Sequence, residues 1–224
     1  MPHDRFYIDA PLEYKVTLDG EEFQHLSRVM RKKEGDTIEL INGKHILALG
    51  TITHIGKKEG TISINEVIEK KPLLPPLILV QALTKLSNLE FIIQKGTELG
   101  VSTFHLYAST LSEKKELSNH QCHRLGQIMI NATKQCGRLD LPLLSWGFPK
   151  LEGNVYFGDL RKNSPLLAQV GSLPATLIIG PEKGFTEEET SHLSNLAKGV
   201  RFTPYTLRAE TAAIAGLSIL AGNT

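Results

Sequence analysis

Hydrophobic and polar positions along this chain follow two regimes that meet near residue 72. In the first, Thr37–Ile41, Ile46–Ile52 and Thr61–Ile64 alternate with the period of two expected of half-buried strands. Gly35-Asp36, Asn42-Gly43 and Glu59-Gly60 separate these runs, and Asn-Gly is the strongest hairpin sign among them. The period lengthens over Glu21–Met30, where Phe23, Leu26, Val29 and Met30 share one face of an expected helix. His25 and Arg28, with Arg31, Lys32 and Lys33, gather on the other side and at its end. The pattern predicts a small β-rich unit, a compact barrel carrying one helix.

The second regime starts after Lys70-Lys71-Pro72-Leu73-Leu74-Pro75-Pro76, whose prolines remove backbone donors and favour extended conformations. This linker divides the chain into residues 1–71 and 72–224. Beyond it, strands and helices alternate. Strands are expected at Leu77–Gln81, Val101–Tyr107, Val155–Gly158, Thr176–Ile179 and Val200–Thr203. Helices are expected at Lys85–Leu99, stopped by Gly100, and at Asn119–Gln135, Glu187–Ala197 and from Ala209 onward. Such alternation implies an α/β unit with a mostly parallel sheet between helices. After Glu210 no charged residue follows, so the last helix should be buried against the protein or a partner subunit.

Composition narrows the setting more than the chemistry. The 224 residues suffice for two units with separate cores. The best apolar run, Leu73–Leu83, is short and broken by Pro75 and Pro76, so no membrane span is expected. The opening MPHDRFYIDA lacks the cationic-then-apolar order of an export signal, and the expectation is a cytoplasmic protein. Two cysteines are too few for a disulfide framework or a cysteine-only zinc site, and no metal is expected. A formal charge of +1 neither requires nor forbids a polyanionic partner.

Two segments stand out chemically. Gly180-Pro181-Glu182-Lys183-Gly184-Phe185 follows a strand and precedes a helix capped by Thr186, with Glu189 completing a capping box. Leu207-Arg208-Ala209-Glu210-Thr211-Ala212 opens the last helix. Both are turns feeding helices, and together they suggest two backbone loops around one small ligand at the carboxyl ends of parallel strands. Phosphate loops of the GxxxxGK[ST] and GxGxxG kinds, the GxSxG elbow and the HxxxH zinc pair do not occur. The cations at the end of the first helix suit either an ordinary charge–dipole arrangement or a phosphate-contacting patch that Arg5 joins.

Taken in order, H25-L-S-R28-V, Q94-K-G-T-E-L-G-V101, Q135-C-G-R138, I179-G-P-E-K-G-F185 and L207-R-A-E-T-A212 resemble the bacterial small-subunit ribosomal RNA uridine-N3 methyltransferases, the RsmE family of the SPOUT class. The resemblance implies an N-terminal PUA-like β-barrel that binds RNA and a C-terminal SPOUT α/β domain tied in a trefoil knot. It implies a homodimer acting on 16S ribosomal RNA or the small ribosomal subunit, with S-adenosylmethionine as cofactor. By carry-over, the cofactor is held by Ile178, Ile179, Gly180, Glu182, Gly184, Thr206, Leu207, Thr211 and Ala212. Arg208 and Glu210 hold the loop or each other. Arg138 meets the RNA or steadies the target uridine as the catalytic cation. Arg5, Arg28, Arg31, Lys32, Lys114 and Lys183 contact RNA.

The chain departs from the family pattern at several points. Lys183 replaces the second glycine of GPEGG, which costs roughly 1 kcal/mol if that position needs left-handed backbone. Phe202-Thr203-Pro204-Tyr205 replaces Leu-Gly-x-Arg, Lys114 stands for an arginine, and Lys134 stands for a glutamate. Two other readings remain at this level: a catalytically weak RNA-binding relative, and a SPOUT methyltransferase acting on another RNA position.

Overall fold

The computed structural model describes residues 4–223. They form two compact units, one comprising residues up to Leu73 together with Ile130–Leu141, the other Leu74–Met129 and the chain from Pro142 onward. The first unit contains β1 (Arg5–Tyr7), β2 (Lys15–Leu18), α1 (Gly20–Gln24), β3 (Thr37–Ile41), β4 (Ile46–Ile55) and β5 (Gly60–Glu69). Its sheet runs β1-β3-β4-β5-β2, antiparallel except for the parallel β1–β3 pair. Register shifts at Leu49/Gly50 and Ile52/His54 interrupt the long β4–β5 ladder. Such irregularities bend and twist a strand pair, which curls this sheet around Phe6, Leu18, Leu26, Ile38, Leu40, Ile52 and Ile62.

The predicted ten-residue helix is not uniformly α-helical. After α1 the chain widens into a π-helical turn over His25–Val29, closed by Met30 N–H donating to the His25 carbonyl at 2.9 Å. The wider turn shifts the phase of the side chains. Phe23 and Leu26 stay inside, while Val29, expected inward, is 68% exposed. Asn42-Gly43 likewise opens a four-residue connection between β3 and β4 rather than a two-residue turn, with Lys44 N–H donating to Asn42 Oδ1.

Residues 130–141, which the linker-based division assigns to the second part, pack in the first unit. Leu139 joins Ile41 and Leu47, His45 N–H donates to the Leu139 carbonyl, and Leu141 N–H donates to that of Gly43. Lys134 and Glu22 form an ion pair in the same unit. The position where the family carries a glutamate is therefore filled by a cation that meets an acid on α1.

The second unit contains β6 (Leu77–Ala82), α2 (Leu86–Glu98), β7 (Thr103–Tyr107), the start of α3 (Asn119–Cys136), β8 (Leu143–Trp146), β9 (Asn154–Gly158), α4 (Leu167–Val170), β10 (Ala175–Ile179), α5 (Glu187–Leu196), β11 (Lys198–Val200) and α6 (Ala209–Gly222). Its six strands are all parallel in the order β11-β9-β10-β6-β7-β8. β10 is buried along its whole length, as a central strand covered on both faces must be. β8 and α4 had no sequence signal, and β11 lies earlier than the expected Val200–Thr203 strand. The α6 helix packs against α2, α4, β6 and β10. Ala213, Gly216, Leu217 and Leu220 are buried, whereas Ala212, Ile214, Ala215 and Ile219 are only half-buried in the single chain. No helix among the described residues is long and apolar enough to cross a membrane.

Candidate cofactor cleft and RNA-facing surface

Three neighbouring strands, β9, β10 and β11, end on one side of the sheet, and the loops that leave them enclose a cavity of about 700 Å³. Ligand cavities commonly fall between about 300 and 1,000 Å³ and lie at carboxyl strand ends in α/β folds. The β10 loop contributes Ile179, Gly180, Glu182, Lys183 and Gly184. The chain entering α6 contributes Thr206, Leu207 and, one turn on, Ala212. Of the remaining expected cofactor residues, Ile178 lies fully buried behind the wall against Val80, Val155, Phe157 and Leu193. Thr211 is exposed on α6 and does not line the cavity.

Loop shape follows from local chemistry. The Thr186 hydroxyl accepts from Glu189 N–H at 3.1 Å, and the Glu189 carboxylate accepts from Thr186 N–H at 2.9 Å, so both halves of the capping box are formed. The same carboxylate accepts from Ser109 Oγ and Thr110 N–H, each at 2.9 Å. Burial alone would raise the Glu189 pKa, but the backbone donors of Thr186 and Thr110, with Ser109, hold it below the usual carboxylate range. The left-handed backbone falls on Gly184, at φ 76°, and not on Lys183. The strain foreseen for Lys183 therefore does not arise. Its ammonium lies 3.6 Å from Glu113 Oε1, and it is 62% exposed.

A third wall had no sequence signal recognised for it. Gly158, Asp159, Leu160, Arg161 and Lys162 leave β9 and line the cavity beside Phe202 and Tyr205. Gly158 ends β9 and Asp159 follows it, a pair that in sequence looks like any strand-to-turn junction. Asp159 is 5% exposed and accepts from Arg161 N–H, Arg161 Nε and Ser164 Oγ, the last at 2.6 Å. Burial pushes its pKa up, but Arg161 and Ser164 more than offset this and hold the carboxyl low.

These walls fit S-adenosylmethionine by their chemistry. A methyl group on Gly180 would stand 3.2 Å from the Phe185 ring, so glycine keeps this close approach open. Ile179, Val200, Phe202 and Leu207 offer apolar walls to an adenine, while Lys162 and Lys183 add cations to the lining beside an Arg161 already paired with Asp159.

Arg208 and Glu210 do not pair with each other among the described residues. Arg208 is exposed at the cap of α6, and its carbonyl accepts from Ala212 N–H. Glu210 lies in the first turn, with Oε2 enclosed and unpartnered. Arg138 lies in the first unit, its Nε donating to Asp140 Oδ1 at 3.2 Å and its guanidinium ion-paired to the same carboxylate. Burial would raise the Asp140 pKa, but the hydrogen bond and charge of Arg138 bring it below the usual range.

The residues expected to meet RNA separate into different surroundings. Arg5 is 9% exposed and paired with Glu39 at 2.7 Å, because β1 inserts beside β3 with Arg5 directly opposite Glu39. It is thus held inside rather than joining the basic patch. Lys32 is paired with Asp4 at 2.7 Å, and Lys114 Nζ donates to Gln121 Oε1. Arg31 is exposed with φ 52°. Arg28 lines a concavity of about 440 Å³ with Gln24, Ser27, Lys57 and Lys58. Among the described residues none of its three cations has an ion-pair partner. Lys57 and Lys58 lie in the β4–β5 turn, and only the folded sheet brings them beside the π-helical turn.

Two family models match the chain. The profile described as an RNA methyltransferase domain matches residues 69–221, and that of an RNA methyltransferase PUA domain matches residues 18–65. The chain is 33% identical to the ribosomal RNA small subunit methyltransferase E of Aquifex aeolicus over 96% of this chain and 97% of that one. Among solved structures it is similar to a methyltransferase of Legionella pneumophila in complex with the bound cofactor SAM, with TM-score 0.88 at 28% identity, covering 97% of this chain and 96% of that one. The ribosomal RNA small subunit methyltransferase E of Neisseria gonorrhoeae, bound to S-adenosyl methionine, shares the fold with TM-score 0.86 at 23% identity, covering 96% of this chain and 95% of that one.

Proposed function

This chain belongs to the ribosomal RNA small subunit methyltransferase E family, and on that premise we propose that it methylates N3 of a specific uridine in 16S ribosomal RNA, acting in the cytoplasm. The observation that carries the reading is the cleft at the ends of β9, β10 and β11, where Gly180, Gly184 and Leu207 meet around one ligand-sized space. S-adenosylmethionine, when bound there, supplies an electrophilic methyl group. Ile179, Gly180, Gly184, Thr206, Leu207 and Ala212 hold it, with Ile178 as backing. Glu182 and Thr211 act through the shape of the loops and the helix start.

Uridine N3 carries a proton at neutral pH and is hidden in paired RNA. Exposing the base costs a few kcal/mol, least where it is already unpaired. The protein then acts by holding N3 in line for transfer, with the N3 proton passing to water as the N3–methyl bond forms and S-adenosylhomocysteine leaving as the product. Arg138, on the first unit, is the cation that meets the RNA or steadies the target uridine, with Asp140 fixing its guanidinium. On the first unit Arg28, Arg31, Lys57 and Lys58 hold the phosphate backbone; Lys114 and Lys183 are the RNA-contacting cations of the second unit. The half-buried apolar positions of α6 suit a homodimer interface. The curled sheet acts as the PUA-like barrel, and the segment from β10 to α6 forms the trefoil knot of the SPOUT class.

Calorimetric titration with S-adenosylhomocysteine, followed by methyl transfer to small subunits lacking the modification, tests the reading. One binding site per protomer and a methyl group mapped to uridine N3 are expected. Cofactor binding with the methyl group on another nucleotide would overturn the target, and no binding by folded protein, with or without RNA, would overturn the enzyme reading.

A further inference from the structure

A second cavity in the α/β unit, of about 410 Å³, lies at the carboxyl ends of β6, β7 and β8, and the methyl-transfer reading does not use it. Leu83, Leu106 and Trp146 form its apolar walls, and Lys115, Glu116 and Asn119 stand at its rim. Trp146 is the single tryptophan of the chain and is 48% exposed. It lies directly opposite Leu106 in the β7–β8 register, so both side chains project from the same face of the sheet. Gly147 follows at φ 88°, a conformation that turns the chain away immediately after the indole, with nothing within 4 Å of where its Cβ would stand. The ring is thus left as one open wall of a slot.

The rim has the chemistry of a base edge. Lys115 Nζ donates to the Ser109 and Thr110 carbonyls at 2.8 and 2.9 Å, which anchors the ammonium and leaves its third donor. The Asn119 carboxamide, both donor and acceptor, has no hydrogen-bond partner among the described residues, and Glu116 adds an acceptor. Leu143 is also exposed, but it projects from the opposite face of β8 and adds nothing to the apolar wall that Trp146 forms.

We propose that this slot docks an unpaired base of the RNA substrate, stacked on the Trp146 indole with its edge read by Asn119, Lys115 and Glu116. Every nucleobase has a face for such stacking, and single-stranded RNA is commonly held this way. The proposal rests on the reading of the chain as an RNA methyltransferase, and it adds a site that holds a nucleotide other than the one methylated.

The lone tryptophan makes the test direct. A short single-stranded oligoribonucleotide is titrated into the full chain while Trp emission is followed, and its affinity is measured independently by anisotropy of a labelled copy. Quenching with the same midpoint as the anisotropy is expected, and an abasic oligomer of the same length should bind without quenching. Trp146→Ala should weaken oligomer binding by roughly five- to 100-fold, Trp146→Phe should retain most of it, and S-adenosylhomocysteine affinity should not change in either. Oligomer binding with unchanged emission and equal affinity for Trp146→Ala would overturn the slot and leave the methyltransferase reading standing. Emission that responds to protein concentration and not to RNA would assign the face to contact between copies instead. Absence of all RNA binding by folded protein would remove the RNA reading and the slot with it. If Trp146→Ala does not fold, the wild-type quenching and the abasic oligomer decide alone.

Discussion

The Glu182 carboxylate accepts a hydrogen bond at 3.0 Å from the backbone N–H of Lys85, the residue that caps α2. Glu182 Oε1 is thereby committed to the helix start, where a negative charge is favourable. It ties the β10 loop to the β6–α2 connection, 97 positions away in sequence. Glu182→Ala should loosen this loop and weaken S-adenosylhomocysteine binding about fivefold, corresponding to about 1 kcal/mol for an exposed charge-assisted bond. Glu182→Gln, which keeps an acceptor, should stay within about twofold by calorimetry.

Asp159 is the buried acid of the cleft wall, and its removal should be felt in stability. Arg161 remains in contact with water, so Asp159→Ala should cost about 1–3 kcal/mol rather than the full penalty of an enclosed ion pair. A lower thermal midpoint with weaker S-adenosylhomocysteine binding is the expected outcome.

The pH dependence follows from the lowered Asp159 pKa. Between its folded and unfolded values the unfolded chain binds more protons, so stability rises with pH across that window. The contribution is complete above about pH 4, the ordinary carboxylate value, and is lost as pH falls through the folded value. Asp159→Asn should therefore show a shallower loss of thermal midpoint on acidification below that pH. Glu189 and Asp140 are lowered in the same sense, so part of the slope should persist.

Gly216 of α6 faces the sheet so closely that a Cβ would meet Leu177 at 2.7 Å and Phe202 at 2.9 Å. Alanine gains about 1 kcal/mol of helix propensity there. Overpacking costs about 1–3 kcal/mol, and because Phe202 also lines the cofactor cleft, the clash should win. Gly216→Ala is expected to lower both the thermal midpoint and S-adenosylhomocysteine affinity.

Arg28, Lys57 and Lys58 should contribute to RNA affinity mainly through phosphate. Replacing both lysines with alanine should flatten the dependence of log K on log salt by roughly 1.4–1.8, and leave S-adenosylhomocysteine binding intact. Arg5→Ala should instead lower the thermal midpoint with little change in the salt slope, since its guanidinium is spent on Glu39.

The legible parts of this protein are those encoded within a few neighbouring residues. Alternation marked β3, β4 and β5, the Thr186–Glu189 capping box was visible as a four-residue pattern, and Gly100 stopped α2 as its sequence implied. The β10 loop and the entry to α6 were marked by their turn residues, and the fold brings both to one cleft. The β9 loop escaped notice because a glycine and an aspartate after a short strand look like any turn until the neighbouring strands are known.

By itself, then, the sequence determined the two regimes, most of the elements and their local caps, because propensity, periodicity and capping act over one or two turns of chain. Tertiary structure alone decided that Val29 faces outward from a π-helical turn, that Arg5 is consumed by Glu39, and that Asp159 forms a wall of the cleft. It also placed Lys57 and Lys58 beside Arg28, and Trp146 beside Leu106. Those relationships depend on strand order and register, which are set by the joint burial of residues far apart in sequence and leave no mark on any short segment.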